Sequence, residues 1–201
     1  MKKSTLILGI AIMSVTGLFV QSCGNQDGIE SASGHDNSDG HHDSDKNHDH
    51  SSESHSNVVK TGKDELIKDY LDLKSALTKD NEKKASEIAS KMVKTIQGFD
   101  SGVYTESQQS VIKDILETSL EHSEHIAKSP ISHQREHFKD LSVDMIDLIS
   151  ITSNSTMLYE QHCPMYDNKK GASWLSADSK IENPYYGSEM LSCGKVEKEY
   201  K

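Results

Sequence analysis

The stretch TESQQSVIKDILETSLEHSEHIAKSPISHQREHFKDLSVDMIDLIS, residues 105–150, decides the fold. Thr105 followed by Gln108 is a capping box, in which each side chain satisfies the other residue's backbone amide at a helix start. Ile112, Ile115, Leu116, Ser119 and Ile126 then recur at the 3.6-residue period and mark one inward stripe. Pro130 punctuates a turn. A second long helix follows from near Ser132 to about Ser153, with Phe138, Leu141, Met145, Leu148 and Ile149 inward. Two amphipathic helices joined by so short a link lie antiparallel.

Upstream the same pattern repeats twice. Thr61 can cap a helix whose stripe is Leu66, Tyr70, Leu73 and Leu77. Asp80 or Asn81 opens another, with Ala85, Ile88, Met92 and Ile96 inward and Gly98 as its stop. These four segments predict an all-α fold, an antiparallel four-helix bundle. After Asn154 the helical period breaks. Met157, Tyr159 and Gln161 alternate with Leu158, Glu160 and His162 as a short extended segment, and Gly171, Pro184 and Gly187 mark turns. The expectation there is a loop-rich C-terminal cap, packed on the bundle by Trp174, Leu175, Tyr185 and Tyr186. Residues 61–201 are thus read as one domain, long enough for a single core.

The amino-terminal part has a different character. Lys2 and Lys3 precede an apolar run from Leu6 to Val20, too short to span a bilayer and suited to an export signal. The following Gln21-Ser22-Cys23 matches the lipobox of bacterial lipoproteins, so residues 1–22 are read as a lipoprotein signal peptide and Cys23 as the lipid-bearing residue. By analogy with lipoprotein sorting, Gly24 after that cysteine points to the outer membrane, facing the periplasm. Residues 23–60 are rich in Ser, Asp, Gly and His and carry almost no large apolar side chain, the composition of a disordered tether. His35, His41, His42, His48, His50 and His55 lie there among aspartates; they serve either as loose metal ligands or as polar spacer. Loss of Lys2 and Lys3 with the signal would take the formal charge from −10 to −12. Such an acidic chain excludes nucleic acid, which needs a basic patch, and attracts cations.

Donor-rich motifs fall in two places. His122 and His125 stand three apart near the end of the third helix, and His133 and His137 four apart near the start of the fourth, so each pair shares a helix face. The two flanks either meet between the helices, making a multi-histidine metal site, or diverge as surface residues; the hand of the hairpin decides. Further on, His162-Cys163-Pro164-Met165 is answered by Met190-Leu191-Ser192-Cys193. Thiolate and thioether sulfur favour Cu(I), and thiolate with imidazole also suits zinc. The competing reading is a Cys163–Cys193 disulfide, worth about 3 kcal/mol for a loop of this length. No phosphate-binding loop or nucleophile elbow is present, and the chain is read as a non-enzyme.

Taken in order, His122-Ser123-Glu124-His125, His133-Gln134-Arg135-Glu136-His137, Cys163-Pro164-Met165, Trp174-Leu175-Ser176, Asn183-Pro184-Tyr185-Tyr186-Gly187 and Met190-Leu191-Ser192-Cys193-Gly194 resemble a bacterial envelope lipoprotein family of unknown function, over about Asp64 to Val196. Related domains accompany the membrane-fusion subunits of copper and silver efflux systems. The resemblance implies a role in capturing copper, or else zinc or silver, and passing it to such a heavy-metal efflux complex. It places Cys163, Met165, Met190 and Cys193 first among the candidate ligands, with His162, His122, His125, His133 and His137 behind them. The alternative is a structural or interaction module of the envelope, its cap pinned by the disulfide.

Overall fold

The computed structural model describes residues 62–201. The signal peptide, Cys23 and the histidine-rich tether lie outside the described residues.

Four helices follow one another: α1 Lys63–Thr78, α2 Glu82–Gln97, α3 Glu106–Lys128 and α4 Ile131–Ile151. Each packs on the next, which is the order that short links between amphipathic helices dictate. Asn81 caps α2 through its side chain, which accepts from the Lys84 amide, and Gly98 ends that helix. Both halves of the capping box form at α3: Gln108 N–H donates to Thr105 Oγ1 and Thr105 N–H to Gln108 Oε1. Pro130 opens α4 at φ −68° and ψ 160°, where its missing N–H leaves no helical bond unmade. The stripes lie as their periods require. Leu66, Tyr70, Leu73, Leu77, Met92, Ile112, Ile126, Phe138, Leu141, Met145 and Leu148 are completely buried. Ile88 and Leu116 sit only at the edge of the core, and Ala89 takes the inner position beside Met92.

The C-terminal region corrects the expectation of a loop-rich cap on an all-α fold. It is a three-stranded antiparallel sheet in the order β2-β1-β3, with β1 Leu158–Cys163 central, β2 Ala172–Ser176 on one side and β3 Lys195–Tyr200 on the other. The physical reason lies in how the strands are covered. β2 packs against α4, so Trp174, Leu175 and Ser176 are buried in succession and no alternation survives to be read. β3 is a charged edge strand, Lys195-Val196-Glu197-Lys198-Glu199, held by its backbone ladder. Only the extended segment of β1 was visible, and it forms as expected. Between β1 and β2 the chain reverses at Tyr166–Lys169, where Asp167, Asn168 and Lys169 all take left-handed backbone.

Two polar fastenings hold the sheet to the bundle. Tyr70 Oη lies 2.7 Å from Ser142 Oγ and accepts the Leu175 N–H at 3.1 Å, tying α1, α4 and β2 inside the core. Arg135 joins Asp80 at 2.5 Å, the Leu77 carbonyl at 2.9 Å and the Pro184 carbonyl at 2.8 Å, while the Ser188 N–H donates to Asp80 Oδ2. Gly187 sits against this knot at φ +54°; a Cβ there would collide with both Asp80 Oδ1 and Arg135 Nη2.

Candidate metal-binding sites

Helix periodicity places His122 and His125 along one flank of α3, and His133 and His137 along one flank of α4. The hairpin turns with the hand that makes those flanks meet. His122 Nδ1 lies 3.1 Å from His137 Nδ1, and His137 Nε2 lies 3.2 Å from His133 Nε2. His125 stacks on His137 with ring centroids 4.3 Å apart. One ring nitrogen from each of His125, His133 and His137 falls within 4.8 Å of the others, the one such group of three or more histidine, cysteine or carboxylate donors among the described residues. Tetrahedral zinc with Zn–N bonds of about 2.0–2.1 Å needs donor nitrogens about 3.4 Å apart. The His133–His137 pair is already at that separation, and the exposed His125 closes the triangle by a change of rotamer.

Acidic groups line the same seam. Glu136 Oε2 accepts from His133 Nδ1 at 2.6 Å, and the half-buried Asp144 accepts from Ser119 Oγ at 3.2 Å. Partial burial, then the charges of His125, His133 and His122, hold the His137 pKa below the usual imidazole value, against the pull of Asp140. A neutral imidazole is the ligating form. Burial raises the Asp144 carboxyl, opposed by hydrogen bonds from Thr118 and Ser119 and by the nearby His122. Asp140 and Asp144 were missed in the sequence, although their spacing from His137, three and seven residues, is that of one helix face.

The sulfur motifs also come together, by strand pairing. In the β1–β3 ladder Gln161 faces Val196 and His162 faces Lys195, which carries Cys193 to the end of β1 beside Cys163. The two Sγ atoms are 3.0 Å apart and unbonded, Cys163 buried and Cys193 partly so. Its sulfur neighbour first, and burial second, push the Cys193 thiol up to about 11. A cation binding both thiols therefore has to displace a firmly held proton. Burial, and then the charges of Cys163, Cys193 and Glu189, raise the Tyr186 phenol as well, and its hydroxyl donates to the Met165 carbonyl at 3.1 Å.

The remaining candidates have surroundings of their own. Alternation along β1 points His162 away from Cys163, and its Nδ1 pairs with Ser173 Oγ at 3.1 Å. Met165 and Met190 are exposed. The Cys193 N–H does donate to the Met190 carbonyl, completing the single turn that their spacing suggested.

The histidine and sulfur groups are separate sites. The chain beyond Cys163 does double back along α4: Lys139 meets Asp167 at 3.1 Å and Arg135 meets Pro184. Arg135 and Lys139 each follow a histidine by two residues, which at 3.6 residues per turn is about 200° around the helix. The cap therefore covers the flank of α4 opposite the histidines.

The molecule is thus a helical bundle faced by a small antiparallel sheet, with a nitrogen-rich flank and a sulfur-rich flank. Residues 66–157 match the model of a family described as "Protein of unknown function (DUF3347)". The match takes in all four helical histidines and ends before β1, so the sulfur motifs fall outside it. No curated protein and no solved structure matches the chain.

Proposed function

We propose that this chain is a metal-binding protein of the bacterial cell envelope that captures copper, or else zinc or silver, and buffers it or passes it to a heavy-metal efflux complex. The observation that carries the reading is the convergence of His125, His133 and His137 from two helices within 4.8 Å. Imidazole suits Cu(II) and Zn(II), and an acidic surface concentrates such cations around the site. Silver(I) and Cu(I), which prefer sulfur, belong instead at Cys163 and Cys193. The lipid on Cys23, the outer-membrane address and the efflux partner rest on the lipobox and on the family resemblance of the motifs.

The test is a competition titration of Cu(II) and Zn(II) into the chain with the six tether histidines replaced by serine. One tight equivalent is expected, and it should disappear when His125, His133 and His137 are replaced together. Equal binding by the two proteins would reject the assignment. A second reading, an interaction module with a disulfide-pinned cap, is favoured by the 3.0 Å approach of Cys163 and Cys193. A thiol count on protein isolated from the envelope distinguishes it: no free thiol, with or without copper supplied, supports the pinned cap.

A further inference from the structure

We infer that the histidine cluster is a three-ligand site with one coordination position left open, and that His122 positions His137 without touching the ion. The inference rests on the metal-binding reading above and goes on to name what each ring does. The two nitrogens of an imidazole lie on different edges of the ring and cannot reach one cation together. His137 gives Nδ1 to His122 and Nε2 to His133, at 3.1 and 3.2 Å. An ion held between His133 and His137 therefore excludes His122 from its shell. An ion placed between His122 and His137 would forgo both His125 and His133. The larger donor set, His125, His133 and His137, takes the cation.

The hydrogen bonds behind the rings agree with this. A ligating imidazole usually donates its second ring N–H to a fixed acceptor, which sets the tautomer and aims the lone pair. Glu136 does this for His133, accepting from Nδ1 at 2.6 Å. His122 does it for His137: with the proton on His137 Nδ1 directed at His122 Nδ1, the His137 Nε2 lone pair faces His133 Nε2. Both Nε2 atoms thus present lone pairs to the same point from rings fixed at their far edges.

Three imidazoles leave a tetrahedral ion one vacant position. His125 is exposed and the His133 side chain keeps 45% of its accessible surface, so that position opens to solvent. With an ion bound, that position would be free for water or for an incoming imidazole or carboxylate, while His125, His133 and His137 kept their hold. That is the geometry of a site that gives its cargo up.

Co(II) is the probe, read by visible absorption in the chain whose tether histidines are serine. His122→Ala should weaken Co(II) about tenfold, and His122→Gln, which restores a neutral acceptor, should recover most of that loss. The Co(II) bands should be the same in the parent and in His122→Gln, and added azide should shift them in both. His137→Ala should lose binding altogether. If His122→Gln loses as much as His137→Ala, changes the bands, or azide fails to shift the parent, His122 is a fourth ligand and the inference falls while metal binding stands. If His122→Ala binds like the parent, the positioning role falls. If His137→Ala also binds like the parent, the metal-binding reading itself falls.

Discussion

The two flanks of α4 bring candidate donor side chains together in different ways. On one flank, helix period and the hand of the hairpin gather four histidines, two on each side of a tight turn; His122 and His133 approach His137 to 3.1 and 3.2 Å, and all four side chains remain partly open to water. On the other, Cys163 and Cys193 are thirty residues apart and meet through strand pairing, with Cys163 buried under the sheet. An open cluster of imidazoles can exchange a cation with solvent. In the thiol pair, Cys193 holds its proton up to about pH 11, so a cation entering there has to displace it. The comparison teaches that donor type in a sequence does not by itself reveal how open or how closely paired the donors are in the fold. Access and preset lone pairs matter as much as ligand chemistry.

The largest effect should come from setting the flanks against each other in one titration. Replacing His133 and His137 together by alanine should weaken Zn(II) or Cu(II) at least about a thousandfold, some 4 kcal/mol. Replacing Cys163 and Cys193 by serine should leave that affinity within about twofold, because additivity holds for separated sites. Loss of Zn(II) affinity in the serine protein would show that the flanks act as one site.

A smaller effect separates the flanks by redox state. Oxidised glutathione should close Cys163 to Cys193, and the bond should raise unfolding stability by about 3.5 kcal/mol for a thirty-residue loop. Urea denaturation before and after oxidation measures the gain, which Cys193→Ser should abolish. Zinc affinity at the histidines should not follow it. If oxidation leaves stability unchanged, the sheet already holds the two strands as firmly as a covalent link would.

These differences also explain what was legible in the sequence. The bundle could be read because each helix has one covered face, so Leu66, Tyr70, Leu73 and Leu77, or Phe138, Leu141, Met145 and Leu148, carry the period in their own identities. Whether the histidine flanks met could not be read, since the hand of a helical hairpin is set by packing across both helices. The sheet was hidden for a related reason. β2 is buried nearly throughout and β3 is almost wholly exposed; Gly171 marks the turn before β2, but three further left-handed residues in that reversal, Asp167, Asn168 and Lys169, carry no such signal. Read from sequence, the sulfurs rank ahead of the histidines because the family resemblance rests on their motifs, whereas the 3.0 Å approach of Cys163 to Cys193 is a product of strand pairing that no spacing displays.

The smallest effect concerns the joint between the regions. The Ser188 side chain first, then Arg135 and the Ser188 amide, hold the Asp80 carboxyl down to about 2 from an ordinary value of 3.8, against a slight burial cost. Because the folded value is the depressed one, the stabilisation is fully present above pH 4 and is lost as pH falls from about 4 towards 2. Asp80 is 37% exposed, so solvent screening leaves about 1 kcal/mol of it. Asp80→Asn should therefore unfold about 1 kcal/mol more easily than the parent at pH 7, and the two proteins should converge in acid denaturation near pH 2. The deficit should be felt on the sulfur flank, where Arg135 anchors Pro184, as faster thiol labelling of Cys193. Zinc affinity should stay unchanged, because Arg135 faces away from His133 and His137. A fall in zinc affinity in Asp80→Asn would mean that the cap steers the histidines through α4, and the two flanks would then be coupled parts of one device.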